Sequence, residues 1–173
     1  MIHDDFPALF AYNRWADDRM FEVLRTLSPE NYAREPAPGW SSVRATVLHM
    51  GGVLQGWAFR LGSTKVPPMT ALPTEVDTPT VADAQRCFQV GYDAWDEILA
   101  RLTPEKLGSI WSYQKLNGET VRVPYWSVFR HVVNHATYHR GQVAAKLKRV
   151  GVDPPATDLI FWAVAMTPQG DEG

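Results

Sequence analysis

His135 and His139 lie four residues apart in the run H-V-V-N-H-A-T-Y-H-R-G-Q from His131 to Gln142. On an α-helix, residues four apart stand one above the other on the same face. Two imidazoles so placed can share one metal ion, as the paired histidines of helical zinc motifs do. His131 extends the row by one further turn, but it stands about 12 Å along the axis from His139. Metal–nitrogen bonds are only about 2.0–2.1 Å, so all three cannot reach one ion. Spacing alone leaves both 131/135 and 135/139 open as the ligand pair. A third ligand must come from another element.

Four long helices are expected to supply the frame. The first runs from about Pro7 to Leu27, with Asp5 as its cap and Pro7 in the first turn. The second begins after Ser41-Ser42 and runs to about Leu61, where Gly62 stops it. The third spans about Val81 to Leu102 and stops at Thr103-Pro104; the fourth spans Tyr125 to Val150 and is closed by Gly151. Lys65 to Pro79, with Pro67, Pro68, Pro73 and Pro79, reads as a long loop. Ile110 to Val123 is aromatic and β-branched around Asn117-Gly118, the signature of a hairpin with a two-residue turn. Asp158 to Ala165 reads as a short C-terminal helix. The expected fold is therefore all-α, a four-helix bundle over residues 1–168 as one domain, with a hairpin between helices three and four. Residues 169–173 are expected to be a disordered tail.

On the second helix, at 100° per residue, Val43, Val47, Met50, Val53, Leu54, Trp57 and Leu61 form the apolar stripe, and His49 lies at its edge. Ala45, Gly52 and Gly56 flank His49 on the other side, leaving room for a ligand or for a close helix contact. On the fourth helix Val132, Ala136, Val143 and Leu147 form the stripe, and His135 and His139 sit at its margin. A faint internal echo relates Glu22–Glu30 to Glu97–Glu105, and Ser41/His49 to Ser127/His135 at the same spacing. It would make His49 and His135 pseudo-equivalent across a two-fold axis.

Composition narrows the function classes. With 17 Lys and Arg against 19 Asp and Glu, and no basic run, nothing recommends nucleic acid as a partner. No apolar stretch approaches the roughly 20 residues of a membrane span, and the opening M-I-H-D-D-F-P lacks the apolar core of a signal peptide. One cysteine, Cys87, excludes an internal disulfide and fits a reducing cytoplasm. Cys87 reads as a small buried hydrophobe and not as a nucleophile. His3 reads as irrelevant. Arg140 either holds an anionic substrate beside the metal or pairs with a carboxylate on another helix. There is no Gly-rich phosphate loop, no Ser-His-Asp signature and no CxxC.

The opening A-Y-N-R-W-A-D-D-R-M, the L-H-M from Leu48 and the H-V-V-N-H-A-T-Y-H-R-G-Q from His131 together resemble the DinB family, from about Phe6 to Ala165. The resemblance implies a bundle in up-down-down-up order, a homodimer, and one divalent metal per chain, zinc or nickel. It implies His49, His135 and His139 as the ligands. A long 65–79 crossover suits that order, because helices running in the same sense need a connection of bundle length.

The same family includes low-molecular-weight-thiol-dependent S-transferases and isomerases. Three neutral imidazoles leave a tetrahedral ion one open position, as in catalytic sites. A thiol bound there would become a nucleophile at neutral pH; a water would serve hydrolysis. No carboxylate stands at a spacing suited to a hydrolase's general base, which favours thiol chemistry with a small electrophile. Catalytic residues stay unassigned, while Arg140 and Trp57 are the candidates to hold the substrate or thiol. The rival readings are a metal-dependent hydrolase and a non-catalytic metal-binding stress-response domain, in which His131 would close the fourth position.

Overall fold

The computed structural model describes residues 5–115 and 117–168; His3 and the tail beyond Pro168 lie outside them. Helix α1 (Asp5–Leu24) already includes Asp5. Asp5 is thus helical and not the cap, and the helix is under way before Pro7. Ser28-Pro29-Glu30 does more than end it. Ser28 caps a one-turn helix, α2 (Pro29–Ala33), by accepting the Asn31 amide at 3.2 Å. Helix α3 (Val43–Arg60) is capped by Ser42, whose hydroxyl accepts the Ala45 amide at 2.9 Å. After a loop holding one 3₁₀ turn (Met69–Ala71), α4 (Val81–Ala100) starts with a Thr80/Asp83 capping box. Thr103-Pro104-Glu105 repeats the Ser28 device and caps α5 (Pro104–Leu107) through the Lys106 amide. Strands β1 (Ile110–Gln114) and β2 (Thr120–Pro124) pair antiparallel, and α6 (Tyr125–Arg149) and the short α7 (Leu159–Met166) complete the chain.

The hairpin turn is wider than the expected two residues. The Lys115 amide donates to the Glu119 carbonyl and the Gly118 amide to the Lys115 carbonyl, with Gly118 at φ +84°. A glycine in that left-handed conformation is what a turn with a bulge requires.

Contacts between helices fix their directions. Phe10 meets Trp95 and Phe21 meets Phe88, so α1 and α4 run antiparallel. Gly51 lies against Phe88, and Leu54 against both Gly91 and Trp95, so α3 and α4 run parallel. Thr46 pairs with Lys146 and Trp57 with His131, making α3 and α6 antiparallel. Phe6 meets Phe129 while Asn13 meets Arg140, so α1 and α6 are parallel. The order is up-down-down-up. The Arg44–Glu75 ion pair, 2.9 Å, returns the crossover to the first turn of α3. That is a helix length, roughly 25 Å, from where the loop set out.

The parallel α3/α4 pair is also the tightest junction. A Cβ built on Gly91 would come within 2.7 Å of Leu54 Cδ2, so glycine there permits the close approach. The core around it is heavily aromatic, with Phe10, Trp95 and Phe129 in mutual contact and the Trp95 Nε1 proton donated to the Leu54 carbonyl at 2.9 Å. A buried polar cluster crosses the bundle beside it. The Tyr92 hydroxyl donates to Asp17 at 2.5 Å, Asn13 donates to Tyr92, and Arg140 donates to both Asn13 and Asp17.

Candidate metal centre

The antiparallel crossing of α3 over α6 carries the only residue of this group on α3, His49, onto the pair on α6. His49 Nε2 and His135 Nε2 are 3.1 Å apart. The rings of His49 and His139 approach with centroids 4.6 Å apart, and those of His135 and His139 at 4.3 Å. One nitrogen from each of the three can be chosen so that all lie within 4.8 Å of one another. Among the described residues no carboxylate or thiol joins this group, and neither does His131.

The donor set suits a divalent ion. Tetrahedral nitrogens on bonds of about 2.05 Å sit about 3.3 Å apart, close to the 3.1 Å already found between His49 and His135. His139 Nδ1 faces Gln142 Oε1 at 2.8 Å. An Nδ1–H donated to that amide oxygen leaves Nε2 with its lone pair free, which is how outer partners orient ligating imidazoles. Burial, with the neighbouring His139, His49 and His131 adding to it, pushes His135 down to about 4. Burial and then His139 lower His49 as well. At neutral pH both rings are therefore in the uncharged form that a metal needs.

His49 is exposed, and His135 and His139 are half-buried, so the group opens to solvent on one side. Gly52, one turn along from His49, has nothing within 4 Å of a built Cβ, whereas Gly56 packs against Met69 and Leu72. Of the two uses foreseen for small residues beside His49, Gly52 leaves room and Gly56 serves a close contact. Beyond Gly52 stands an aromatic wall. Trp57 meets Tyr113 at 5.1 Å, Trp111 at 6.4 Å and His131 at 5.2 Å between centroids. Trp111 and Tyr113 point to the same side of β1, two residues apart. The hairpin thus packs its aromatic face on Trp57, a contact that the alternation of aromatic residues in β1 could have signalled.

His131 lies at the seam of that wall, 5.6 Å from the His135 ring, and burial lowers its pKa. Arg140 is turned inward. Only 2% exposed, it donates to Asn13 Oδ1 at 2.7 Å, Asp17 Oδ1 at 2.8 Å and Thr137 Oγ1 at 2.9 Å. Its partner is a carboxylate on another helix, the second of the two roles its sequence position allowed. Cys87 is half-buried, and burial and then Asp83 push its thiol up, away from nucleophile character.

This geometry coincides with a family match along nearly the whole chain. A model of the DinB family matches residues 1–170. The chain belongs to the DinB family. Protein DinB of Bacillus subtilis (strain 168) is 26% identical over 152 residues, spanning 87% of this chain and 88% of that protein. The crystal structure of a DinB-like protein from Bacillus cereus ATCC 10987 superposes with a TM-score of 0.71 at 19% identity, over 90% of this chain and 99% of that one. A second DinB-like structure, from Bacillus subtilis, gives a TM-score of 0.65 at 16% identity, over 87% and 97% respectively. At those identities the two structures speak for the DinB fold alone.

Proposed function

We propose that this DinB-family chain binds one divalent metal, zinc or nickel, through His49, His135 and His139, and is an enzyme of thiol S-transferase or isomerase type. The observation that carries this reading is a group of three imidazoles, without a fourth protein ligand among the described residues, at a solvent-facing opening. A divalent ion held there would supply Lewis acidity, favouring the thiolate of a low-molecular-weight thiol at neutral pH. The residues around it exclude water on one side. Trp57, Trp111 and Tyr113 offer apolar surface to an electrophile. Trp57 keeps its proposed part in holding substrate, and Tyr113 shares it, with Arg60 stacked at 5.0 Å over Trp57 and 5.3 Å over Tyr113. Arg140 would act on the site only from behind, by holding α6 against α1.

Cobalt(II) provides the test. The cobalt-loaded chain titrated with cysteine, glutathione and other small thiols is expected to develop an intense near-ultraviolet sulfur-to-metal band with one of them. Absence of any such band across the thiol panel, with cobalt bound, would sink the thiol reading while leaving the metal site.

A second copy of this chain is the partner we propose. The short helix α7 leaves Ile160 63%, Phe161 49% and Val164 56% exposed. Such a row of apolar side chains on eight residues is what subunit contacts cover. Light scattering is expected to give the mass of two chains. A Phe161→Glu variant should give one; an unchanged dimer would place the interface elsewhere. A cytoplasmic location belongs to the same reading, supported by the single, unpaired Cys87. Among the described residues no helix is long and apolar enough to cross a membrane.

A further inference from the structure

A second cavity adjoins the histidine group but is not part of it. It measures about 520 Å³ and lies between the N-terminal end of α3 and the later turns of α6. Trp40 and Tyr138 flank it, Gly141 lies along it, and Ser41, Gln142 and Lys146 contribute its polar atoms.

Lys146 is the anomaly. The residue is only 4% exposed, and its ammonium donates to Ser41 Oγ at 2.8 Å, to the Ser42 carbonyl at 3.3 Å and to Thr46 Oγ1. None of these carries a charge. Buried ammonium groups are ordinarily paired with an anion, yet among the described residues no carboxylate pairs with Lys146 and none lines the cavity. Burial holds the amine below the usual lysine range. The Arg149 guanidinium, 5.1 Å over the Trp40 ring, adds a second positive charge at the same end.

Gly141 is a separate observation. It lies inside α6, where glycine weakens a helix relative to alanine, and a Cβ built on it meets nothing within 4 Å. No packing contact requires it, and what it provides is open space beside the cavity. Gln142 joins the two sites, since it lines the cavity and also holds His139 Nδ1 at 2.8 Å. Lys146 stands two helical turns beyond His139, about 10.5 Å along the axis.

We propose that this cavity binds the carboxylate end of an organic anion, with the carboxylate on Lys146 Nζ and the Ser41 hydroxyl and a flat body between Trp40 and Tyr138. The carboxylate would replace the ammonium's present contact with Ser41, the cavity-lining one of its three acceptors. A dianionic phosphate would ask for more donors than one ammonium and one hydroxyl give. The other end of such an anion reaches toward the histidine group, so a substrate is expected to carry its carboxylate about 10 Å from its reacting atom. That last step rests on the proposed function; the anion site does not.

The experiment uses 2-naphthoate and its neutral isostere 2-naphthamide as probes, titrated into the metal-stripped full chain. Naphthoate is expected to bind at least tenfold more tightly than naphthamide. Lys146→Met should lower naphthoate affinity at least tenfold and leave naphthamide unchanged. Gly141→Leu, whose side chain enters open space, should abolish binding of both with an unchanged or raised Tm. His135→Ala should retain naphthoate binding. Equal binding of the two probes, no binding of either, or naphthoate binding unaltered in either a folded Lys146→Met or a folded Gly141→Leu would overturn the proposal. Loss of naphthoate in His135→Ala would overturn it too, because the carboxylate would then belong to the histidine group. If Lys146→Met does not fold, the probe ratio in the natural chain and the Gly141→Leu result still decide. Intact naphthoate binding in a chain that takes up no metal would remove the proposed function and leave this site standing.

Discussion

In His135→Ala, metal content is expected to fall from about one ion per chain to buffer background, with the fold retained. Apparent zinc affinities at four-ligand sites of about 10–16 kcal/mol assign roughly 2.5–4 kcal/mol to each ligand. Losing one of three imidazoles should therefore cost at least about fiftyfold in affinity. His49→Ala and His139→Ala should behave alike, since each supplies one member of the group held within 4.8 Å. Gln142→Leu leaves all three rings in place and loosens only the orientation of His139. Its expected loss is about 10–100-fold, the usual scale for an outer partner. His131→Ala should keep the metal. Elemental analysis of untagged protein, with circular dichroism as the control for folding, reads all five variants. If His131→Ala loses the ion and His139→Ala keeps it, the ligand pair is one turn further up α6. If the natural chain takes up neither zinc nor nickel, the metal reading falls altogether.

The second large effect is expected far from solvent. Arg140 and Asp17 are 2% and 3% exposed and 2.8 Å apart. Asp17→Asn would leave a guanidinium that cannot shed its proton facing neutral groups only. Breaking a buried pair from one side costs about 3–5 kcal/mol, or roughly 6–20 °C in Tm for a domain of this size. Arg140→Met should cost less. Burial already raises the Asp17 carboxyl, against the opposing pull of Arg140 and of the hydrogen bonds from Tyr92 and Arg140. Freed of Arg140, that carboxyl can take up a proton. The double variant should be more stable than Asp17→Asn alone, which urea denaturation would show. Equal losses for Asp17→Asn and Arg140→Met would mean that the cost is packing and not stranded charge.

The sequence carried the architecture because its signals are local. Proline and glycine placed the ends of α3, α4 and α6 to within about two residues, and helical periodicity put His49, His135 and His139 at the core margin. The one-turn helices at Ser28 and Thr103 escaped notice because Ser/Thr-Pro-Glu reads equally as a stop and as a new cap. The two devices occupy matching places, after α1 and after α4, so the echo from Glu22 to Glu30 and from Glu97 to Glu105 reflects the same local chemistry. The matching serines do not, since Ser41 accepts from the Lys146 ammonium while the Ser127 hydroxyl, in the first turn of α6, donates to the Pro124 carbonyl. Choosing between His131 and His139 needed the resemblance, because that choice depends on where α3 crosses α6. The inward turn of Arg140 and the burial of the Lys146 ammonium among neutral acceptors depend on contacts more than 100 residues apart in sequence. No periodicity records these.

The bundle order also governs when the site can come into being. His49 and His135 are 86 residues apart along the chain, and α6 docks against both α3 and α1; Asn13, its partner on α1, lies 127 residues before Arg140. Contacts of that separation pay their loop-closure entropy late. A chain leaving the ribosome presents His49 long before its companions exist, and one imidazole alone makes no centre. The histidine group is thus a mark of a docked α6: no intermediate lacking that docking can capture an ion in this arrangement.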